Sequence, residues 1–310
     1  PNNLALPLHH AGVTVLGTSP EMIDSAEDRF KFSKLMDAVG VGQPAWSELK
    51  SNDEAFEFAK RVGFPVLVRP SYVLSGAAMS VAYNDEELGK VLNEAVAVSP
   101  EHPVVITKFM DGALEIEFDG VAKDGKVIAQ AVSEHVENAG VHSGDATLIL
   151  PPQTLSTYYI QRVRDIAARV ASALNITGPF NMQLLADRAD VTVIECNLRA
   201  SRSFPFVSKT VGADFVEAAT RAMVGVETSS LNLPGLDAPY KRPSGYVGIK
   251  SPMFSFTRLR GADPVLGVEM ASTGEVACFG ETKHEAFLKS LLAANFKIPE
   301  KSILIASAEK

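Results

Sequence analysis

Ile194-Glu195-Cys196-Asn197-Leu198-Arg199-Ala200-Ser201-Arg202-Ser203-Phe204 sets a carboxylate, an amide and a guanidinium at alternate positions, Glu195, Asn197 and Arg199. In an extended strand, residues two apart project from the same side. The stretch before it, Gly178–Asp187 (GPFNMQLLAD), offers Asn181 and Gln183 with the same period. The short polar link ADRAD lets the two segments pair as a hairpin with their polar faces side by side. Gln183, Glu195 and Asn197 then supply oxygen ligands for a divalent cation, and Arg199 matches phosphate oxygens with paired N–H donors. The chemistry this predicts is phosphoryl transfer from a metal nucleotide. A single alternating triplet is more often an ordinary strand with a solvated face. The second polar strand, close enough to pair, tips the reading toward a site.

Composition leaves room for such a cleft. The 310 residues suffice for two or three structural units, and 46% hydrophobic with 21% charged is ordinary globular usage. A formal charge of -8 opposes nonspecific nucleic-acid binding, so an anionic substrate requires locally gathered arginines. Cys196 and Cys278 are the only cysteines and form neither a disulfide framework nor a zinc pattern, so a reducing compartment is the simpler reading. No apolar run reaches the ~18 residues that span a bilayer, and the first residues lack a charged n-region followed by an apolar core.

Outward from the hairpin the pattern is mixed. PNNLALPLHHAGVTVLGTS reads as a helix leading to strand Val13–Leu16. Ser19 before Pro20 starts a helix predicted to run through Ala26–Gly40, burying Phe32, Leu35, Met36 and Val39. Ser51 and Glu54 form a capping box for a helix ending at Gly63. Pro65–Arg69 is a short apolar strand, stopped where Pro70 denies its neighbour helical angles. Small residues, Ser75–Ala78 (SGAA), lead to another strand; Asn84 with Glu87 caps helix Asp85–Val98, and strand Pro103–Met110 follows. Leu114–Gly120 (LEIEFDG) alternates Leu114, Ile116 and Phe118 with Glu115, Glu117 and Asp119, a strand with one acidic side.

Asp124-Gly125 turns that strand into Val127–Ser133, a polar loop covers Glu134–Ala146, and an amphipathic helix covers Ser156–Leu174. Past the hairpin come helix Asp214–Val224, a Pro- and Gly-rich connection over 226–245, a strand pair within Tyr246–Phe256 and Gly274–Gly280, and a strand-like run, Ile303–Ala306. The irregular order predicts an α+β protein with more than one subdomain.

Arg29, Arg69 and Arg199 are candidate phosphate clamps, Arg69 most of all because it ends a strand beside the small-residue loop. SGAA lacks the glycine density and Lys-Ser/Thr of a P-loop, and GxGxxG is absent, which opposes a nicotinamide enzyme. Five of the six histidines lie outside any metal-ligand spacing. His142 in GVHSGD is open between a loop hydrogen bond and a nucleotide pocket, as His135 beside Glu134 is for the acceptor site.

Taken together, Arg69–Met79 (RPSYVLSGAAM), Glu134–Asp145 (EHVENAGVHSGD) and Ile194–Lys209 (IECNLRASRSFPFVSK) resemble the large chain of carbamoyl phosphate synthetase, in its second ATP-grasp unit. The likeness runs from Glu27 to Gly280. FPFVSK resembles the carbamate-phosphorylating half, and the serine in VLSGAAM the eukaryotic type.

The resemblance implies an ATP-grasp fold, two subdomains holding ATP between sheets, and the reaction of carbamate with MgATP to give carbamoyl phosphate and ADP. It implies that Gln183, Glu195 and Asn197 bind Mg2+ or Mn2+. Arg199 contacts the moving phosphoryl group, and Arg29 and Arg69 meet nucleotide or product phosphate. Lys108 and Met110 line the adenine, Glu115 accepts from the ribose, and Gly140, Val141, His142 and Ser143 close over the nucleoside.

It further implies residues 1–25 as the end of a preceding domain, 26–119 as the lid subdomain, 120–298 as the large subdomain and 299–310 as the start of another domain. Partners are carbamate and ATP, the rest of the synthetase chain and a glutaminase domain or subunit, with no nucleic acid and no membrane. The compartment is cytoplasmic or mitochondrial, and the pathway pyrimidine, arginine or urea synthesis. The rivals are another ATP-grasp ligase such as a biotin carboxylase, whose glycine-rich lid loop this sequence lacks, and a noncatalytic fragment acting as scaffold or subunit contact.

Overall fold

A computed structural model describes residues 2–70, 78–98, 104–188, 190–238, 245–255 and 265–303. Helix α1 (Asn2–His10) precedes α2 (Pro20–Glu27) and α3 (Arg29–Ala38). The sequence predicts one helix across Ala26–Gly40; Asp28 divides it. Its extended backbone (φ -77°, ψ 111°) lets its carboxylate accept from the amides of Phe30 and Lys31, each at 3.0 Å. An aspartate that competes for backbone donors ends one helix and caps the next, and Arg29 becomes the first residue of α3. Val13–Leu16, expected as a strand, forms none: Val13 and Leu16 are 48% and 62% exposed, so no buried face holds them in a ladder.

A small antiparallel sheet follows. It comprises β1 (Trp46–Leu49), β2 (Val66–Arg69), β3 (Ser80–Ala82) and β4 (Val104–Lys108) in the order β1-β4-β2-β3, with α4 (Asn52–Val62) and α5 (Asp85–Val98) interleaved in the chain. Ser51 and Asn84 cap these helices as expected, accepting from the amides of Glu54 and Glu87 at 3.3 and 3.0 Å. Phe58, Val66, Val68, Leu88, Leu92 and Ile106 form the core between helices and sheet. The SGAA loop falls almost wholly in 71–77, outside the described residues.

The large sheet holds β5 (Leu114–Lys123), β6 (Lys126–Asn138), β7 (Leu148–Leu150), β8 (Gly178–Asp187), β9 (Asp190–Asn197), β10 (Val247–Met253) and β11 (Gly274–Gly280), ordered β11-β10-β7-β6-β5-β8-β9. Helix α6 (Thr157–Ala173) packs with α2 and α3 over Phe118, Phe180 and Met182, and α7 (Phe204–Val211) with α8 (Phe215–Met223) covers Val121, Ala129 and Leu148. The rings of Phe118 and Phe180 lie 5.5 Å apart, and a Cβ on Gly120 would meet them at 2.6 and 2.7 Å, so this strand crossing admits only glycine. Each such ring contributes roughly 1.5–3 kcal/mol by leaving water. Helix α9 (Lys283–Ala293) lies on β10 and β11.

Three details depart from the sequence reading. Strand β6 continues to Asn138, which shortens the predicted loop over Glu134–Ala146. The sheets divide between Lys108 and Leu114, and β5 runs unbroken across Asp119, where the subdomain boundary is expected. Ile303 joins no strand, and the rest of the run to Ala306 lies outside the described residues.

Candidate active site

A cavity of about 280 Å³ opens between the two sheets. The small sheet contributes Leu67, Arg69, Thr107 and Lys108; the large sheet contributes Glu115, Glu117, Asn181, Gln183, Glu195, Asn197 and Lys250. Arg29, Arg69, Lys108, Met110, Glu115, Gly140, Val141, His142, Ser143, Asn181, Gln183, Glu195, Asn197 and Arg199, all singled out in the sequence, line this one space, whereas His135, the acceptor-site candidate, does not.

The hairpin β8–β9 forms as expected, with Asn181 opposite Asn197 and Gln183 opposite Glu195. Simple alternation does not explain it. Val191 and Val193 share the parity of Glu195 and Asn197, yet the valines are in the core and the polar pair in the cleft. A bulge between Gln183 and Leu184 resolves this: Leu184 pairs with Val193 and Gln183 with Glu195, so Ile194 is the extra residue and the strand changes face. The bulge also frees the Ile194 carbonyl, which accepts from Nη2 of Arg69 at 2.8 Å. Arg199 lies past the end of β9, in a bend, so strand alternation does not aim it; its guanidinium donates to Oδ1 of Asn197 at 3.4 Å.

Glu195 is the electrostatic centre. Its Oε2 accepts from Arg29 at 2.8 Å, with Arg69 at 3.7 Å, and its Oε1 accepts from Nδ2 of Asn197 at 3.0 Å. Burial pushes this carboxyl up, but Arg29, Arg69 and Asn197 outweigh it and hold the pKa at about 2. Burial and Arg29 bring Arg69 down to about 9, still a cation at neutral pH. The divided helix therefore has a purpose: α3 delivers Arg29 to an acid 166 residues away.

Below this lies a layer the sequence reading saw only as an acidic face. Across β5, β8 and β9, Glu117, Gln183 and Glu195 form one row, and Asp119, Asn181 and Asn197 the next. Nδ2 of Asn181 donates to Glu117 at 2.8 Å and to Asp119 at 3.0 Å; the hydroxyls of Ser203 and Ser201 donate to the same two acids. Burial, then the Glu117 charge, pushes Asp119 up to about 7. Burial would also raise Glu117, but His135, 3.5 Å away, with Lys250 and Ser203, takes it below its ordinary value. Burial lowers His135, and the Glu115 and Glu117 charges reverse that. His135 is thus a buried partner of acids, and Glu134, facing the other way, binds Thr154 and Leu155. Lys250 was not singled out in the sequence, where it lies inside the strand expected within Tyr246–Phe256.

The loop from Ala139 to Gly144 closes one side. Gly140 has φ +114°, and a Cβ there would stand 3.0 Å from Phe109, so glycine is required twice over. His142 accepts at Nδ1 from the Gly144 amide at 3.0 Å, and burial lowers its pKa, leaving a neutral imidazole whose proton is on Nε2. Asp145 fastens the strap 267–272 over this loop, its two oxygens accepting from the amides of Ala271 and Ser272 at 2.8 Å each. The ammonium of Lys108 donates to the carbonyls of Gly63 and Phe64 at the end of α4, so Lys108 also ties that helix to the cleft. Glu115, pushed up to about 7 mainly by burial, faces the cavity from β5.

Among the described residues, no three His, Cys, Asp or Glu side chains converge as a metal cluster. A set of one carboxylate and two amides is the alternative, and its chemistry fits a hard cation: all donors are oxygens, and Glu195 stays ionised. The amide nitrogens of Gln183 and Asn197 are committed to Ser143 and Glu195, which leaves for a ligand the carbonyl oxygen of Gln183 and the second lone pair of the Asn197 oxygen, whose first accepts from Arg199.

Two antiparallel sheets of unequal size enclosing such a cleft define the ATP-grasp fold. The match to solved structures is broad: a biotin carboxylase from Campylobacter jejuni aligns with TM-score 0.72 at 19% identity, over 93% of this chain and 70% of that one. A carboxyaminoimidazole ribonucleotide synthase from Aspergillus clavatus aligns with TM-score 0.72 at 14% identity, over 94% and 78%. At such identities the likeness concerns fold alone.

The sequence is more specific. Residues 28–231 match the family described as carbamoyl-phosphate synthase L chain, ATP binding domain, and the chain belongs to that family. It is 61% identical over 306 residues to multifunctional protein pyr-3 of Neurospora crassa, covering 99% of this chain and 16% of that protein. It is 59% identical over 305 residues to the human mitochondrial carbamoyl-phosphate synthase [ammonia], covering 98% of this chain and 20% of that protein. The chain thus spans a fifth or less of these relatives' lengths.

Proposed function

We propose that this chain transfers phosphate from ATP to carbamate, as one module of a carbamoyl phosphate synthetase. The observation that carries the reading is Glu195, ionised between Arg29 and Arg69 and set on a bulged hairpin beside two amide oxygens. The family match and the identities of 59% and 61% support the substrate.

Glu195, Gln183 and Asn197 would hold Mg2+, or Mn2+ in its place, and the cation would supply neutralisation of phosphate charge. Arg29, Arg69 and Arg199 spread the remaining charge of the transferring group by paired hydrogen bonds. Carbamate is already an anion, so its oxygen attacks phosphorus without a base, the bond to the ADP oxygen breaks, and no proton moves. The protein positions reactants and keeps water from a labile acceptor. Met110, Val268 and Met270 offer apolar contact to the base; Glu115 accepts from the ribose hydroxyls, and Gly140, Val141, His142 and Ser143 cover the nucleoside.

The small sheet with α4 and α5 is the lid in this reading, and the large sheet carries the catalytic floor. Residues 1–25 and 299–310 belong to flanking domains, and the remaining synthetase chain and a glutaminase supply substrate. Among the described residues no helix is long and apolar enough to cross a membrane; the compartment is cytoplasmic or mitochondrial, and the product feeds pyrimidine, arginine or urea synthesis.

The test is Glu195→Ala in the full-length protein. Carbamate-dependent ADP formation should fall at least ~10²-fold, the effect of losing one organised electrostatic group. Turnover within a few-fold of wild type, in a variant that melts normally, overturns the assignment.

A further inference from the structure

Lys250 on β10 is a buried amine, its pKa lowered by burial, to which the proposed metal, phosphate and substrate contacts give no role. It is 1% exposed, and burying an ammonium costs several kcal/mol unless its surroundings answer it. Here Nζ donates to the backbone carbonyl of Ser143 at 3.1 Å and lies 4.0 Å from Oε2 of Glu275, with the Glu117 charge also acting on it. Neutralising acids would account for a cation in the floor. It does not account for the direction of its hydrogen bond, which leaves the sheet for a loop 107 residues away in sequence.

Ser143 is the hinge of the matter. Its hydroxyl accepts from Nε2 of Gln183 at 2.6 Å. An amide with its nitrogen committed on one side presents its oxygen on the other, and Gln183 stands opposite Glu195 in the ladder. The loop that positions Ser143 has its outer side bound by Asp145 and the strap, through Ser272 to the Gly144 carbonyl at 3.1 Å. From beneath, Lys250 is what fixes the Ser143 backbone.

We propose that Lys250 is a positioning residue for the cation: by holding Ser143 it orients the Gln183 amide so that the oxygen, not the nitrogen, faces the ligand. The inference rests on the cation assignment made above and adds a residue outside the cleft's ligand set. Partners that orient a metal ligand change metal affinity by about 10–100-fold when removed.

The experiment uses the full-length protein that contains this chain, with ADP and Mg2+ as probes and calorimetric affinity as the readout. In Lys250→Met the Mg2+ concentration giving half-maximal enhancement of ADP binding should rise about tenfold, while ADP affinity in excess chelator stays within twofold. Ser143→Ala should give the same shift, and the double variant no more than either single one, since both break one linkage. Lys250→Arg, which keeps a charged donor, should recover most of the loss. A lysine serving only as counter-charge would weaken ADP binding equally with and without Mg2+, and its effect would add to that of Ser143→Ala; either result overturns the proposal. If Lys250→Met does not fold, Ser143→Ala and Lys250→Arg decide: a midpoint unmoved by Ser143→Ala overturns it. Gln183→Ala separates the two layers of inference. If it shifts the midpoint and Lys250→Met does not, the coupling alone is wrong; if it shifts nothing, the cation assignment fails and the coupling with it.

Discussion

The two sheets that bound the cleft solve different problems. The small sheet is held by an apolar core of local partners, and it offers the cavity Leu67, Thr107, the Arg69 guanidinium and the stem of Lys108. The large sheet turns a face of ionisable groups inward, with Glu115, Glu117, Asp119, His135 and Lys250 all buried. A nucleotide site needs both: one surface that is simple and stable, and one whose charges are fixed before the ligand arrives. The difference teaches that stability and preorganisation are allotted to different layers, and that the charged layer should show its cost as pH dependence.

Asp119→Asn is the largest effect that would sharpen this contrast. Asp119 sits above its unfolded value of 3.8, at about 7, so its protonated form is the one folding favours. The stability it contributes is full below about pH 4 and is lost as pH rises through 7. An amide at this position keeps an oxygen for Ser201 and Asn181 and cannot ionise. Urea titrations should show little difference at pH 4 and a more stable variant at pH 8.5, with a ceiling on the order of 4 kcal/mol. Equal stability at both pH values would mean that the floor carries no such cost. Activity should fall, because stability would be gained at a strained site.

A second test concerns function. Burial, more than the Glu117 charge, raises Glu115 to about 7, and ribose hydroxyls donate to a carboxylate better than to its protonated form. Adenosine, with no phosphate to titrate, should therefore bind more tightly as pH rises from 6 to 8, by about tenfold at most. Glu115→Gln should bind with a flat profile. A wild-type profile that is itself flat, or that falls with pH, would remove the ribose role.

How much of this was legible follows the same division. Most of the small sheet unit was readable because its signals are close in sequence, Ser51 to Glu54, Asn84 to Glu87, and the proline after Arg69, but its edge strand β1 was missed. The hairpin was readable too, and with it the main site residues, because polar alternation in two neighbouring strands has few innocent explanations. The bulge at Ile194 was not deduced, although valines at 191 and 193 sharing parity with Glu195 were its trace. Nor could the floor be read. Glu117 meets Asn181 across 64 positions and Lys250 meets Ser143 across 107, and a lone lysine in an apolar strand resembles any edge residue. Asp28 failed as a helix interior because capping depends on where the backbone turns, which Arg29's partner Glu195 settles from 166 residues away.

The smallest effect comes from the simple layer. Ser51 caps α4 by accepting from the Glu54 amide at 3.3 Å, and Glu54 reaches back to the Lys50 amide at 3.0 Å. Ser51→Ala removes one acceptor and strands a helix donor that water can partly satisfy, so unfolding free energy should fall by about 1 kcal/mol. Because no buried charge is near this cap, the loss should be the same at pH 5 and pH 8.5, and ADP affinity and the Mg2+ midpoint should stay within twofold. A pH-dependent loss, or a shift in the Mg2+ midpoint, would show that α4 transmits strain through Lys108, whose ammonium joins the carbonyls of Gly63 and Phe64 to the cleft. The separation of a stable sheet from a charged one would then fail at that lysine, and Lys108→Met should reproduce the same shift.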